Sequence, residues 1–509
     1  MPDAAAVEEG AGVSYELREY QEGAIAETKR LLREGKRRPL IVCPTGGGKT
    51  LIAVKGIILP AVAKGSVVWF VAPRKQLVHQ TSTKLDEIGL TDHGVVMANH
   101  WRKRPLAPVQ VCSKDTLRNR HDLMARPNIV IWDEAHHVTD KNGCGAIVTA
   151  TNAIHIGLTA TPCRLDGKGL GSIFDCMIQV STIADLISMG FLIPPRVFRA
   201  KGGVDLSGVK MSHGDFNQKD LAAASDKPKL VGNIVAQWQR DGDNRPTVCF
   251  AVNVAHSLHI VEQFKAAGVP AGHIDANTPD NERQHLLRLL RSGAIKVMSS
   301  VGVFTEGFDM PCVGCVILAR ATASLSLFIQ MAGRGLRPEF GTAREGEHCI
   351  FLDHAGLTAR FGPITQVREW SLEDGAKKEA KPFRYQCREC GEELKGRPEV
   401  CPHCGADLRT ETSTTEIPEG DDTLLEEAEQ APIVPLSERQ EYYRKLEEIG
   451  FTHNWAPVMV GAKFRDKYGN WPSKTERATS QQRIAIVKNK LTGKWAPVWK
   501  DIAKEAELA

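Results

Sequence analysis

The chain has 509 residues, 42% of them hydrophobic and 25% charged, with a formal net charge of +4. That length exceeds what one core organises and predicts three or four domains. A near-neutral charge means that any polyanionic partner must be held by local patches rather than by bulk attraction. The longest apolar runs, such as residues 66–72 (SVVWFVA), are strand-length and fall far short of the ~20 residues that span a bilayer, so no membrane association is expected. The first residues, MPDAAAVEEGAG, have neither a basic n-region nor an apolar h-region, which predicts a cytoplasmic protein. Thirteen cysteines, an odd count, suggest reduced thiols rather than a disulfide framework.

Residues 1–14 read as a flexible N-terminus. From 15 to 195, short apolar runs alternate with helix-length segments: 39–43 (PLIVC), 67–72 (VVWFVA), 109–112 (VQVC) and 128–132 (NIVIW). This alternation predicts a parallel sheet covered on both faces. It restarts within 196–375, at 247–251 (TVCFA), 272–275 (GHID), 295–299 (IKVMS), 314–318 (GCVIL) and 349–353 (CIFLD). Two such units imply two lobes with a cleft between them, connected through 191–195 (FLIPP) and the Gly- and Lys-rich run that follows. Residues 380–410 hold paired cysteines. Residues 411–434 form an acidic stretch that reads as a disordered linker. Residues 435–509 predict a helical domain in which aromatics are interleaved with Lys and Arg. Such residues can stack on bases and hold phosphates, or they can form a small core.

Residues 44–50 (PTGGGKT) follow an apolar strand and precede a helical run. Thr45, Gly46, Gly47 and Gly48 allow the backbone to wrap a phosphate chain, and the helix N-terminus favours negative charge. Lys49 then reaches the outer phosphates, and the Thr50 hydroxyl sits on Mg²⁺. Cys43 stands where the general phosphate-loop pattern has glycine. Residues 129–137 (IVIWDEAHH) end a strand in two carboxylates. Asp133 suits the Mg²⁺ and Glu134 the attacking water.

DEAH at 133–136 and GLTATP at 157–162 resemble motifs II and III of the superfamily 2 DEAD/DEAH-box helicases, whose motif I does not demand the glycine at 43. Other matches follow in order along the chain. LREYQ at 17–21 resembles the adenine-sensing Q motif, with Gln21 its key residue. APRKQLVHQ (72–80) and CSKDTLR (112–118) resemble motifs Ia and Ib, placing Arg74, Thr116 and Arg118 toward a nucleic-acid backbone. VCFAVN (248–253) is similar to motif IV, VGVFTEGFDMP (301–311) to motif V and QMAGRGLRP (330–338) to motif VI.

The resemblance implies an α/β fold of two tandem RecA-like lobes binding ATP and Mg²⁺ between them. It also implies that Arg334 and Arg337 enter the ATP site from the second lobe. Thr305 would contact nucleic acid, Gly307 and Asp309 would serve the nucleotide, and His136, Thr159, Thr161 and Gln330 would couple the two events. Motifs cover about residues 15–361. In combination with the cysteine module they resemble RadD/YejH-type bacterial and related phage DNA helicases of DNA repair or replication. TAT in motif III and Gln330 opening motif VI fit RNA helicases less well. The resemblance therefore implies DNA as partner, single-stranded or forked, in a bacterial or phage-infected cell. A non-unwinding ATP-gated clamp or adaptor, or the motor subunit of a restriction system, remain alternatives.

Cys387, Cys390, Cys401 and Cys404 form CxxC-x10-CxxC, the thiolate spacing of a tetrahedral Zn²⁺ ribbon. That module or the helical domain behind it offers a surface for a protein partner. Cys312 and Cys315 have no second pair and read as packed core thiols.

Overall fold

The computed structural model describes residues 16–98, 100–139, 144–164, 168–199, 206, 209–212, 214–226, 228–304, 312–339, 341–368, 370–373, 384–386, 393–395, 425–428, 435–452, 460, 463–464, 467, 482–488 and 495–501. In the first lobe the strands are β1 (Pro39–Val42), β2 (Val68–Ala72), β3 (His93–Val96), β4 (Val109–Ser113), β5 (Ile129–Trp132), β6 (Ile154–Thr159) and β7 (Cys176–Gln179). They form one parallel sheet in the order β3-β4-β2-β5-β6-β1-β7. Its two faces are covered by separate apolar clusters, one around Ile41, Phe70 and Val111, the other around Trp69, Trp132 and Phe174. Burial on both faces is why β1, β2 and β4 read as continuous apolar runs rather than alternating ones.

The second lobe contains β8 (Pro195–Arg199), a short hairpin of β9 (Met211–Ser212) and β10 (Asp215–Phe216), then β11 (Thr247–Phe250), β12 (Ala271–Ile274), β13 (Val297–Ser300), β14 (Cys315–Leu318) and β15 (Cys349–Asp353). Its sheet runs β12-β13-β11-β14-β15-β8, all parallel. The expected pair of parallel-sheet lobes is therefore present. Cys315 lies in the buried core of this sheet and Cys312 packs against it. All nine described cysteines are free thiols.

Two expectations for the C-terminal third need correction. The acidic linker contributes an ordered element: Glu426–Glu427 pairs antiparallel with β8 at the open edge of the second sheet. Leu425 fills the core there, its backbone N–H and C=O bonded to the Gln237 amide. Arg196 grips Glu427 through two hydrogen bonds of 2.7 and 2.8 Å. One buried leucine and a two-pronged guanidinium outweigh the acidic, core-poor composition that predicts disorder. Second, the tail is not wholly helical. Leu436–Thr452 is a helix, and Tyr443, Leu446, Val460 and Phe464 make a small core with it. Gln482–Lys488 and Trp495–Asp501 pair as an antiparallel hairpin. The β-branched alternation of QRIAIVK explains this.

His155 on β6 steadies the end of β5. The Trp132 indole N–H donates to its Nδ1 at 3.1 Å, and Thr151 Oγ1 lies 3.0 Å from its Nε2. Burial holds this imidazole down to about 4. Between that value and its ordinary 6.5 the unfolded chain binds a proton that the folded chain refuses, so acidification favours unfolding. Denaturant unfolding should lose stability as pH falls from 6.5 toward 4. His155→Gln, which keeps an acceptor for Trp132, should flatten that dependence by about one proton's slope; an unchanged slope counts against this role.

Candidate functional site

The carboxyl ends of β1, β2, β4, β5 and β6 carry the first lobe's motifs other than LREYQ, and that end is where open α/β sheets bind ligands. Residues 44–48 leave β1 as a tight loop, with Gly46 and Gly48 in the left-handed region at φ 86° and 82°. Gly46 is held to glycine by conformation and close contact, and Gly47 by close contact alone. A Cβ on Gly47 would lie 2.6 Å from Cys43 Sγ, and one on Gly46 would lie 2.8 Å from Leu192. Cys43 is thus the buried floor of the loop, and burial pushes its thiol up to about 12, so it stays protonated and inert.

Gln21 and Tyr20 bind this loop directly. The Gln21 amide donates to the Gly47 carbonyl at 2.9 Å and accepts from Arg18 N–H at 3.0 Å, and the Tyr20 hydroxyl donates to the same carbonyl at 3.0 Å. The Arg18 guanidinium lies 3.7 Å from the centre of the Phe191 ring, which belongs to the connection between lobes. Tyr20, Arg18 and Phe191 were missed in the sequence reading, although the first two stand inside the LREYQ string.

Lys49 begins the following helix, and its ammonium lies 3.5 Å from Glu134 Oε1. Glu134 follows the end of β5 with φ 46° and ψ 54°. A left-handed glutamate costs about 1–3 kcal/mol and persists where the fold dictates it, which is characteristic of functional sites. Its second oxygen, Oε2, is buried without a hydrogen-bond partner and lies 3.5 Å from His136 Nδ1. Asp133 is buried beside it and Thr50 is half-buried on the helix.

From Glu134 a line of polar groups crosses the cleft. His136 Nδ1 lies 3.0 Å from Thr159 Oγ1, and that oxygen accepts from Thr161 N–H at 3.1 Å and donates to Thr161 O at 3.0 Å. The Thr161 hydroxyl then meets Ser326 Oγ at 2.6 Å. Ser326 belongs to the helix Leu325–Ala332 of the second lobe, where it shares a face with Gln330. Sequence reading found His136, Thr159, Thr161 and Gln330 but not Ser326. Its signal was position: one helical turn before a motif glutamine.

Motif VI packs onto the phosphate loop. A Cβ on Gly333 would lie 2.6 Å from Thr45 Cβ, and the Arg337 side chain passes 3.6 Å from where a Cβ on Gly46 would be. Arg334 is buried on the same turn. Both arginines thus come from the second lobe and stand at the cleft. Of the nucleic-acid residues, Arg74 donates to Gly302 O of the second lobe at 2.8 Å. Thr116 and Arg118 occupy the helix Lys114–Leu117 and its exposed end, away from the loop. Thr305, Gly307, Asp309 and the four paired cysteines lie outside the described residues. Among the described residues no cluster of three or more His, Cys, Asp or Glu could hold a metal ion, and no helix is long and apolar enough to cross a membrane.

A glycine-lined loop at a helix N-terminus, a lysine, an acidic pair with one unsatisfied buried oxygen and facing arginines fit a nucleoside triphosphate with a divalent ion. Comparison with known proteins points the same way. A family described as the res subunit of type III restriction enzymes matches residues 14–164, and the helicase conserved C-terminal domain matches 226–339. The chain is 28% identical over 406 residues to a 51.5 kDa protein of a Lactococcus phage, covering 79% of this chain and 85% of that one. It is 31% identical over 350 residues to irc3 of Schizosaccharomyces pombe, named as a mitochondrial ATP-dependent helicase, covering 66% and 57%. An HsdR subunit fragment of a type I restriction enzyme from Vibrio vulnificus shares the fold at a TM-score of 0.52 and 20% identity, over 68% of this chain and 65% of that one. The chain thus spans most of the phage protein but little more than half of the yeast one. With the res-subunit family matching the first lobe, the helicase conserved C-terminal domain matching much of the second and an ATP-dependent helicase among its relatives, the chain belongs to the superfamily 2 helicases, ATP-hydrolysing enzymes of the helicase type.

Proposed function

We propose that this chain is a DNA translocase or helicase that couples ATP hydrolysis to movement on, or remodelling of, single-stranded or forked DNA in repair, recombination or replication. The observation that carries this reading is the continuous contact from Glu134 through His136, Thr159 and Thr161 to Ser326. It joins the hydrolytic carboxylate to the opposite lobe.

In this reading Lys49 and Thr45–Gly48 hold the phosphates, Thr50 and Asp133 hold Mg²⁺, and Gln21 senses the base through the loop it already grips. Bound ATP supplies the free energy of a phosphoanhydride, and Mg²⁺ neutralises its phosphates. Glu134 orients a water through its free oxygen. Arg334 and Arg337 meet charge developing on the outer phosphate, an effect worth about 10³–10⁵ in rate in related transfers. Loss of that charge removes their partner and lets the lobes part. Thr305, Gly307 and Asp309 extend the site from motif V.

DNA is preferred over RNA because TAT and Gln330 depart from the RNA-helicase pattern and because the family matching the first lobe is named for a restriction enzyme. Behind lobes at 15–195 and 196–375 we place a zinc ribbon at 380–410. Arg384–Gln386 and Glu393–Lys395 pair antiparallel on either side of Cys387 and Cys390, as a ribbon knuckle requires. That ribbon and the C-terminal domain are the surfaces left for a protein partner, in a cytoplasmic setting.

Three measurements test this. ATP hydrolysis should rise with single-stranded or forked DNA more than with RNA, and Lys49→Ala should abolish it. Full activity in Lys49→Ala would sink the site, and RNA preference would overturn the substrate. Ser326→Ala should keep the nucleic-acid-free rate and lower the DNA-stimulated rate about five-fold, the worth of one hydrogen bond of about 1 kcal/mol; equal loss in both rates would make Ser326 a packing residue. Elemental analysis should find about one zinc per chain, lost on replacing Cys387 and Cys390 by Ser, whereas zinc-free folded protein rules the ribbon out.

A further inference from the structure

Between β3 and β4 the chain makes an excursion, WRKRPL at 101–106, that belongs to none of the helicase motifs. It opens on Trp101, which is 77% exposed although tryptophan is highly buried on average. The exposure is built rather than incidental. Arg102 O accepts from Val95 N–H at 2.8 Å, so the chain folds back beside β3. The Arg102 guanidinium is fixed by Asp86 at 2.7 Å and lies 4.7 Å from the Trp101 ring centre. On the other side the buried His100 ring stacks against Trp101 at 5.8 Å and 23°, and meets His79 at 5.3 Å. His79 stands on the helix Lys75–Glu87 that begins at Arg74. The indole is therefore steadied by Arg102 and His100 while most of its surface stays in solvent.

Its place in the fold says what that face meets. The excursion leaves the carboxyl end of β3, the same end from which β2 delivers Arg74 and Lys75 and β4 delivers Thr116 and Arg118. In sheet order β3 is the edge strand next to β4, so Trp101 continues that band outward, away from the phosphate loop. From Trp101 the chain runs back along β3, placing exposed Lys103 next to it and exposed Arg104 further toward the amino end of the strand, where Arg104 pairs with Asp92 at 3.4 Å. Cations following an exposed aromatic ring suit a polyanion with flat bases better than an apolar protein groove.

We infer that Trp101 is a nucleic-acid contact, a platform on which one unpaired base stacks while Lys103 and Arg104 hold the adjoining phosphates. This rests on the reading of the chain as a DNA motor and adds a subsite to it. Stacking in place at the edge of the first lobe would fix the strand's register where the motif contacts end.

Binding of a fluorescently labelled 20-nucleotide single strand by the full chain tests it, followed by anisotropy at several salt concentrations. Trp101→Ala should raise the dissociation constant about 5- to 150-fold with an unchanged salt slope, the range of one base–aromatic stack. Trp101→Phe should recover most of that loss. Replacing Lys103 and Arg104 together by Ala should lower the slope by roughly 1.4, about 0.7 per phosphate contact on a single strand. All three variants should keep the nucleic-acid-free ATPase rate. Equal affinities of the Trp101→Ala variant and the unaltered chain overturn the stacking role and leave the surface to a protein partner. Failure of the unaltered chain to bind DNA overturns the motor reading itself.

Discussion

The structure depends on how closely backbone can approach backbone around residues 43–48. Cys43 fills the space beneath Gly47, Leu192 of the connection presses on Gly46, and Thr45 meets Gly333 of the second lobe. No side chain larger than hydrogen fits at those three glycines. The loop is thereby held between the strand that precedes it and the lobe that faces it, with two residues in left-handed conformations that glycine adopts without cost. Everything the site does follows from this wedge. A phosphate chain bound there touches both lobes at once, and any movement of the second lobe is felt at the loop through Thr45 and Arg337.

The polar line from Glu134 to Ser326 gives that mechanical contact a chemical sense. Each of its steps is short and most are buried, so each group is fixed in one orientation by its neighbour. Buried hydroxyls cost free energy when unpaired. Separation of the lobes would strand the Thr161 hydroxyl, which gives the closed cleft a preference beyond apolar contact. Arg74 adds a second crossing bond to Gly302. A side chain expected to face nucleic acid is here spent on the interface, so a strand entering the cleft would compete with lobe closure for the same guanidinium.

Much of the fold was legible because strands buried on both faces are apolar throughout and need no context to be seen. The strands β1, β2, β4, β5 and all five from β11 to β15 fall on runs that stand out in the sequence. The less apolar edges did not stand out. HGVV of β3 begins with His93, which is buried and lies 2.8 Å from both Ser82 Oγ and the Leu90 carbonyl. Only tertiary partners make that histidine a strand residue. β8 was hidden inside a segment read as a connection because β15 beside it fixes its place, and the 425–428 peptide inside one read as disordered because it owes its order to β8 and to Gln237. At the site the phosphate-loop pattern and the acidic pair were legible, since their chemistry restricts them to short strings. Ser326, Tyr20 and Phe191 were not, because a serine, a tyrosine and a phenylalanine acquire their roles only from what the fold places opposite them.

The chain also crosses between lobes twice, and this shapes how they can move. The first crossing is the connection at 191–193, where Ile193 N–H bonds Leu336 O. The second comes after the last strand: Trp370 and Leu372 return to pack on the Trp132–Phe174 face of the first lobe, and Leu372 O accepts from Gly171 N–H at 2.8 Å. Between them the half-buried Arg368 donates to the carbonyls of Phe361, Pro363 and Gln366, and partial desolvation pushes it down to about 10. A small cleft lined by Pro44, Ala160, Thr182, Ile329, Arg368 and Trp370 lies alongside. Two lobes tied at two places cannot drift apart freely. Ties of this kind are compatible with hinge-type motion, in which a few connecting residues absorb the change.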